Sequence, residues 1–179
     1  MSITVRHDHI ADLLAKFARS NDCLARTYIK KDLTHKLPDG EIHFPDKTII
    51  FDVSGVNTSA PSYRDLLPGE AVRQRERSKT TKYFDFAKSR SSSFVPFVID
   101  SHGSLGPKAL KLLDEIEAAG LCGPGSPSPF RLTRSEFYSR LSSSWQVDNA
   151  KIFNEWSTKC RDKLSRARPL SMALFLDGS

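Results

Sequence analysis

Apolar residues recur at helical spacing near the start of the chain. Ile10, Leu13, Leu14, Phe17 and Ala18 follow an i, i+3, i+4, i+7, i+8 pattern, which predicts an amphipathic helix over 7–19. The period then changes toward two. Residues 26–33 read as a weak strand, on Thr27, Tyr28 and Ile29. Residues 40–44 and 48–54 read as two strands around a turn at Pro45-Asp46-Lys47. Glycines and prolines between 55 and 69 predict a loop, and 70–89 a strongly basic helix. The apolar run 94–100 predicts a buried strand, with Pro96 marking an edge or a bulge. A further helix is expected over 107–119, with Pro107 in its first turn and Gly120 as its stop.

After a Gly- and Pro-rich linker at 123–129, two helical stretches follow, about 134–143 and 148–167. Phe153, Trp156, Cys160 and Leu164 share one face of the second. The order α-β-β-β-α-β-α predicts an α/β fold, a mixed sheet flanked by helices, over 1–122. Residues 130–179 are expected to form a basic helical extension.

Composition narrows the class. With 39% hydrophobic residues over 179 positions, the chain can bury a core. It has no apolar run of the ~20 residues that a membrane span needs, and its N-terminus does not read as a secretory signal. Cys23, Cys122 and Cys160 are odd in number and scattered, which suits free thiols rather than a disulfide framework. The net charge is +6, and it is concentrated in two segments. One carries Arg73, Arg75, Arg77, Lys79, Lys82, Lys88 and Arg90; the other carries Lys159, Arg161, Lys163, Arg166 and Arg168. A polyanion, DNA above all, is the expected partner, although a solvated basic surface would have the same composition. Arg73, Arg75, Arg77, Lys159 and Lys163 are the candidate DNA contacts.

The hairpin adds candidate chemistry. A two-residue turn at Asp46-Lys47 places Asp52 opposite Glu41, with Asp39 on the diagonal, about 7–8 Å away. Ile42, Phe44, Ile49 and Phe51 then share one face, and Asp39, Glu41, His43, Ile50, Asp52 and Ser54 the other. Clustered carboxylates repel and raise one another's pKa unless a cation joins them. Hard oxygen donors suit Mg²⁺ or Mn²⁺, so Asp39, Asp52 and Glu41 are candidate metal ligands. An ordinary solvent-facing polar strand face would look the same. In the basic helix, Lys79 falls within the stripe formed by Val72, Tyr83 and Phe86. An inward lysine needs a carboxylate or a phosphate, unless it snorkels out from the edge of the stripe.

These residues resemble a known pattern. Pro38-Asp39, Asp52 and the helical Lys79-Thr-Thr-Lys82-Tyr83 resemble the PD-(D/E)XK restriction-like endonuclease domain of site-specific non-LTR retrotransposons. Arg6-His7-Asp8 and Phe94–Asp100, followed by Gly103 and Gly106, extend the resemblance over roughly 5–120. Leu37 stands where a basic residue is usual, with Lys36 beside it. Ser54 stands where the wider superfamily has its lysine; the retrotransposon domains resembled supply that lysine from the following helix, and Lys79 fits that role.

The resemblance implies a restriction-endonuclease-like fold and an Mg²⁺- or Mn²⁺-dependent DNA endonuclease. Asp39 and Asp52 would be metal ligands, and Lys79 would act on the phosphate or the attacking water. Lys82, Tyr83 and His7, with Asp8 less directly, would complete the site. It also implies a nuclear protein that works with a reverse transcriptase, whose synthesis the nick would prime. Contacts made mainly to phosphates predict weak intrinsic sequence specificity.

The residues leave other readings open. A catalytically inactive nucleic-acid-binding module on the same fold and a Holliday-junction-resolvase-like nuclease remain alternatives. His7, His9, Cys23, His35 and His43 lack zinc-ligand spacing. Neither a Gly-x-Ser-x-Gly elbow nor a phosphate-binding Gly-x-x-x-x-Gly-Lys loop is present. Tyr28, Trp145 and Trp156 are candidates for base stacking, although Trp156 at helical spacing fits a core equally well.

Overall fold

The structure, a computed structural model, describes residues 3–28, 37–63, 65–67, 69–121 and 131–167. Its elements in chain order are α1 (Ile3–Ser20), β1 (Leu24–Thr27), β2 (Gly40–His43) and β3 (Thr48–Val56). A 3₁₀ turn at Pro61–Tyr63 follows, then α2 (Glu70–Lys88), β4 (Ser93–Asp100), α3 (Pro107–Leu121) and α4 (Arg134–Ala167). This is an α/β fold with one mixed sheet of four strands in the order β1-β2-β3-β4. The β1–β2 and β2–β3 pairs are antiparallel, and β3–β4 is parallel, with α2 in the crossover.

The sheet has helices on both faces, which is why central β3 is buried along nearly all its length. One face sets Ile42, Ile49, Phe51, Val53, Phe97 and Ile99 against Ile10, Leu14 and Phe17 of α1 and Leu112, Leu113 and Ile116 of α3. The other face meets α2 through Val56, Val98, Ala71 and Val72. β4 is an edge strand, the position that tolerates Pro96.

Several boundaries differ from expectation. β1 lies at 24–27, and positions 29–33 of the expected strand fall outside the described residues, as does the linker 123–129. The hairpin turn is Pro45-Asp46, closed by the Phe44 N–H donating to Lys47 O at 2.8 Å. Proline's fixed φ suits the first central position of such a turn. Glu41 therefore faces Ile50 rather than Asp52. The pairing slips by two residues, so every side chain keeps its face.

α3 continues through Gly120 to Leu121. A Cβ on that glycine would lie 3.0 Å from Asn21 Oδ1 and 3.1 Å from Asn21 Cα, so it serves close packing rather than termination. The two expected C-terminal helices are one, because no glycine or proline interrupts 134–167. The start of α4 is not an extension. Leu132, Phe137, Leu141 and Trp145 belong to the main core, and the Phe137 ring lies 4.8 Å from Phe17 and 6.4 Å from Phe97. Asn21 and Arg131 tie the region down: Arg131 Nε donates to Asn21 Oδ1 (2.6 Å), and Asn21 Nδ2 donates to Phe17 O (2.9 Å).

Candidate active site

Asp39 and Asp52 meet where β2 begins. The ladder's last pair there is Gly40 with Phe51, and the Asp39 N–H continues it by donating to Phe51 O at 2.9 Å. Beyond that point β2 offers no further carbonyl. The side chain of Asp39 replaces one: its Oδ2 accepts from the Val53 N–H at 2.6 Å. Asp39 is thus fixed by β3's own backbone, beside the strand position that carries Asp52. Gly40 makes this approach possible, since a Cβ there would lie 2.4 Å from Arg26 O and 2.7 Å from Phe51 Cζ. Both carboxylates are buried, Asp39 and Asp52 each being 3% exposed.

Lys79 answers them from α2. Its Nζ is 2.7 Å from Asp52 Oδ2, and its side chain is 16% exposed. At an effective dielectric of 20 this separation is worth about 6 kcal/mol of attraction. Desolvating the two ions offsets that by several kcal/mol each, so the pair is held by its geometry rather than by a large net gain. The angles are not those of a hydrogen bond, and Asp52 Oδ2 accepts none from the described residues. Lys82 and Tyr83, three and four positions on, lie on the same helical face. Lys82 Nζ donates to Tyr83 Oη at 2.7 Å, and Tyr83 Oη donates to Leu37 O at 3.4 Å. Burial first, then the charge of Asp52 and a hydrogen bond to its carboxylate, and last the charge of Asp39, push the Tyr83 phenol well above its usual range, so it stays a neutral donor. Ser54, two positions after Asp52, is buried on β3.

Two buried carboxylates stand together here, with Lys79 Nζ beside Asp52 Oδ2 and Lys82 Nζ on Tyr83 Oη of the same helical face. Mg²⁺ fits this donor set, because it binds through one or two carboxylates and completes its octahedron with water and phosphate. A larger protein cage is not built: among the described residues, no three His, Cys, Asp or Glu side chains converge as a metal-binding group.

Glu41, expected as a third ligand, is engaged elsewhere. Arg26 Nε donates to its Oε1 at 2.5 Å and His43 Nε2 at 3.0 Å, while the Tyr28 hydroxyl donates to Oε2. Arg90 Nη1 stands 4.0 Å from Oε2. Burial raises the Glu41 pKa, but the hydrogen bonds from Tyr28, Arg26 and His43 outweigh it and hold the carboxyl below its usual range. Period-two alternation had put Glu41 on the acidic face. It could not show that β1 pairs with β2 and brings Arg26 opposite Glu41.

His7 lies on α1, the layer across the sheet from α2. Arg73 and Arg77 pair with Glu70 on their own helix. Arg75 is half-buried, and its Nε has no hydrogen-bond partner among the described residues. Lys159 is exposed on α4, and the side chain of Lys163 lies outside the described residues. Trp145 packs in the core rather than standing ready to stack on bases. Cys23 is a buried free thiol. Among the described residues no helix is long and apolar enough to cross a membrane. The chain matches no family model and no curated protein.

Proposed function

We propose that this chain is a metal-dependent DNA endonuclease domain of the restriction-like type. The observation that carries the reading is Lys79 of α2 standing 2.7 Å from Asp52 beside the pinned Asp39. An acid just before β2, an acid on β3 and a lysine from the next helix are a set suited to holding a divalent ion and a scissile phosphate. The four-stranded mixed sheet with helices on both faces is compatible with a restriction-endonuclease-like fold.

Asp39 and Asp52 would hold Mg²⁺ or Mn²⁺. When bound, the ion supplies charge stabilisation at the phosphate and a lowered pKa for the attacking water. Val53 N–H holds Asp39 in place. Lys79 neutralises Asp52 in the resting site and supplies a cation for the phosphate. Tyr83 is a neutral donor on the same side of α2. By resemblance, the nick would prime synthesis by an associated reverse transcriptase, in the nucleus.

Nicking of supercoiled plasmid with Mg²⁺ or Mn²⁺ tests the reading. The wild type is expected to nick, and Asp52→Ala to fall to background. Equal nicking by both would remove the site assignment. DNA binding by both with nicking by neither would favour an inactive binding module, and preference for four-way junctions a resolvase.

A further inference from the structure

Glu41 is a buried acid with more cationic partners than one charge requires. Arg26 and Arg90 are permanent cations, and their side chains are 66% and 48% exposed. Each guanidinium has five N–H donors in a rigid fork. Arg26 spends Nε on Glu41, and Arg90 directs Nη1 toward Glu41 and Tyr28. One carboxylate cannot satisfy two such forks, so donors remain directed at solvent.

Aromatic rings further restrain the Arg90 fork. The Arg90 guanidinium lies 4.7 Å from the Phe86 ring centre and 6.0 Å from that of Tyr28. His43 is fixed from both sides, with Nε2 on Glu41 and Nδ1 at 3.0 Å from Thr48 Oγ1. The group adjoins the carboxylate pair: the Tyr28 N–H donates to Asp39 O at 2.8 Å. Glu41 and Asp39 are two residues apart along one strand face, about 7 Å.

We propose that Glu41 is not a metal ligand but the anchor of a phosphate-binding cradle. In this cradle Arg26 and Arg90 grip the backbone of a DNA strand next to the Asp39–Asp52 pair. The inference deepens the endonuclease reading and rests on it for the identity of the ligand. Arginine forks match phosphate oxygens two at a time, and a fork already held by a buried acid loses less freedom on binding. Glu41 is then a positioning residue, acting through Arg26 and Arg90.

The test measures binding of a short fluorescein-labelled duplex by anisotropy, in EDTA and over a range of KCl. Arg26→Ala and Arg90→Ala each leave Glu41 its other partners, and with folding checked by circular dichroism each should weaken binding severalfold. Each should also reduce the slope of log K against log salt by about 0.9. In a Glu41→Gln background the Arg26→Ala effect should largely vanish, because the fork is no longer held. Calorimetry with Mn²⁺ should show binding kept by Glu41→Gln and lost by Asp39→Asn. Wild-type affinity and slope in both arginine variants would overturn the proposal, and so would loss of Mn²⁺ binding in Glu41→Gln. Since the DNA measurements contain no metal, absence of nicking by the wild type would sink the endonuclease reading without deciding them.

Discussion

Lys79 Nζ stands 2.7 Å from Asp52 Oδ2, joining the middle of α2 to the middle of β3. The partners are unequal. Asp52 shares its buried surroundings with Asp39, whereas Lys79 keeps some exposure. Lys79→Met would leave buried Asp52 without the ammonium beside it, a loss expected to be about 3 kcal/mol. Asp52→Asn instead relieves the repulsion with Asp39 and frees Lys79 to reach water, so stability should change by no more than about 1 kcal/mol. Urea denaturation of the two variants should show this asymmetry; equal losses would count against it.

Glu76, buried on α2, caps α3. Its Oε1 accepts from the Lys108 N–H at 3.0 Å, one of the amides that a helix start leaves unpaired. Gly106 leaves room for it, since a Cβ there would lie 2.5 Å from that oxygen and 2.9 Å from Val72 Cγ1. Glu76→Ala should cost about 1–2 kcal/mol. Gly106→Ala should cost a similar amount in the wild type and less in the Glu76→Ala background, where only the Val72 contact remains. Thermal unfolding of the double-mutant cycle would show additive losses if the two residues were independent.

The first turns of α4 are core rather than appendage, and the two halves of the helix should respond differently. Phe137→Ala opens a cavity between α1, β4 and α4 and should cost about 3–5 kcal/mol. Lys159→Ala, at an exposed position, should stay within about 0.5 kcal/mol. Chemical denaturation distinguishes them, and a Phe137→Ala protein as stable as the wild type would return α4 to the status of an extension.

Burial, aided by the charge of Asp22, pushes the Cys23 thiol up from 9.0 to about 11. The unfolded chain therefore ionises first. The stability this thiol supports is intact below about pH 9 and declines as pH rises toward 11. The decline should reach roughly 2 kcal/mol. Denaturation of the wild type and Cys23→Ala between pH 8 and pH 11 should show a steeper fall in the wild type. Parallel curves would mean that Cys23 ionises alike in both states.

What local pattern encodes was legible in the chain. The periods of two and near four placed α1, β2, β3, α2, β4 and α3 within a few residues. They put Asp39 and Asp52 on one face of the sheet and Lys79 in the inward stripe of α2, because alternation and helical angle are properties of neighbouring residues. The sequence by itself therefore determined the α/β class and the faces that carry the acids and the lysine. The tertiary structure decided how those faces meet. It moved the hairpin turn to Pro45-Asp46, drew the start of α4 into the core and tied Asp39 to the Val53 N–H. It also surrounded Glu41 with Arg26, Tyr28, His43 and Arg90 instead of the other two acids. Those outcomes depend on which strand pairs with β2 and on which distant cations reach a buried carboxylate. Contacts between residues far apart in the chain leave no period in it, so Asp52 and Lys79 could be read in advance, and the partners of Glu41 could not.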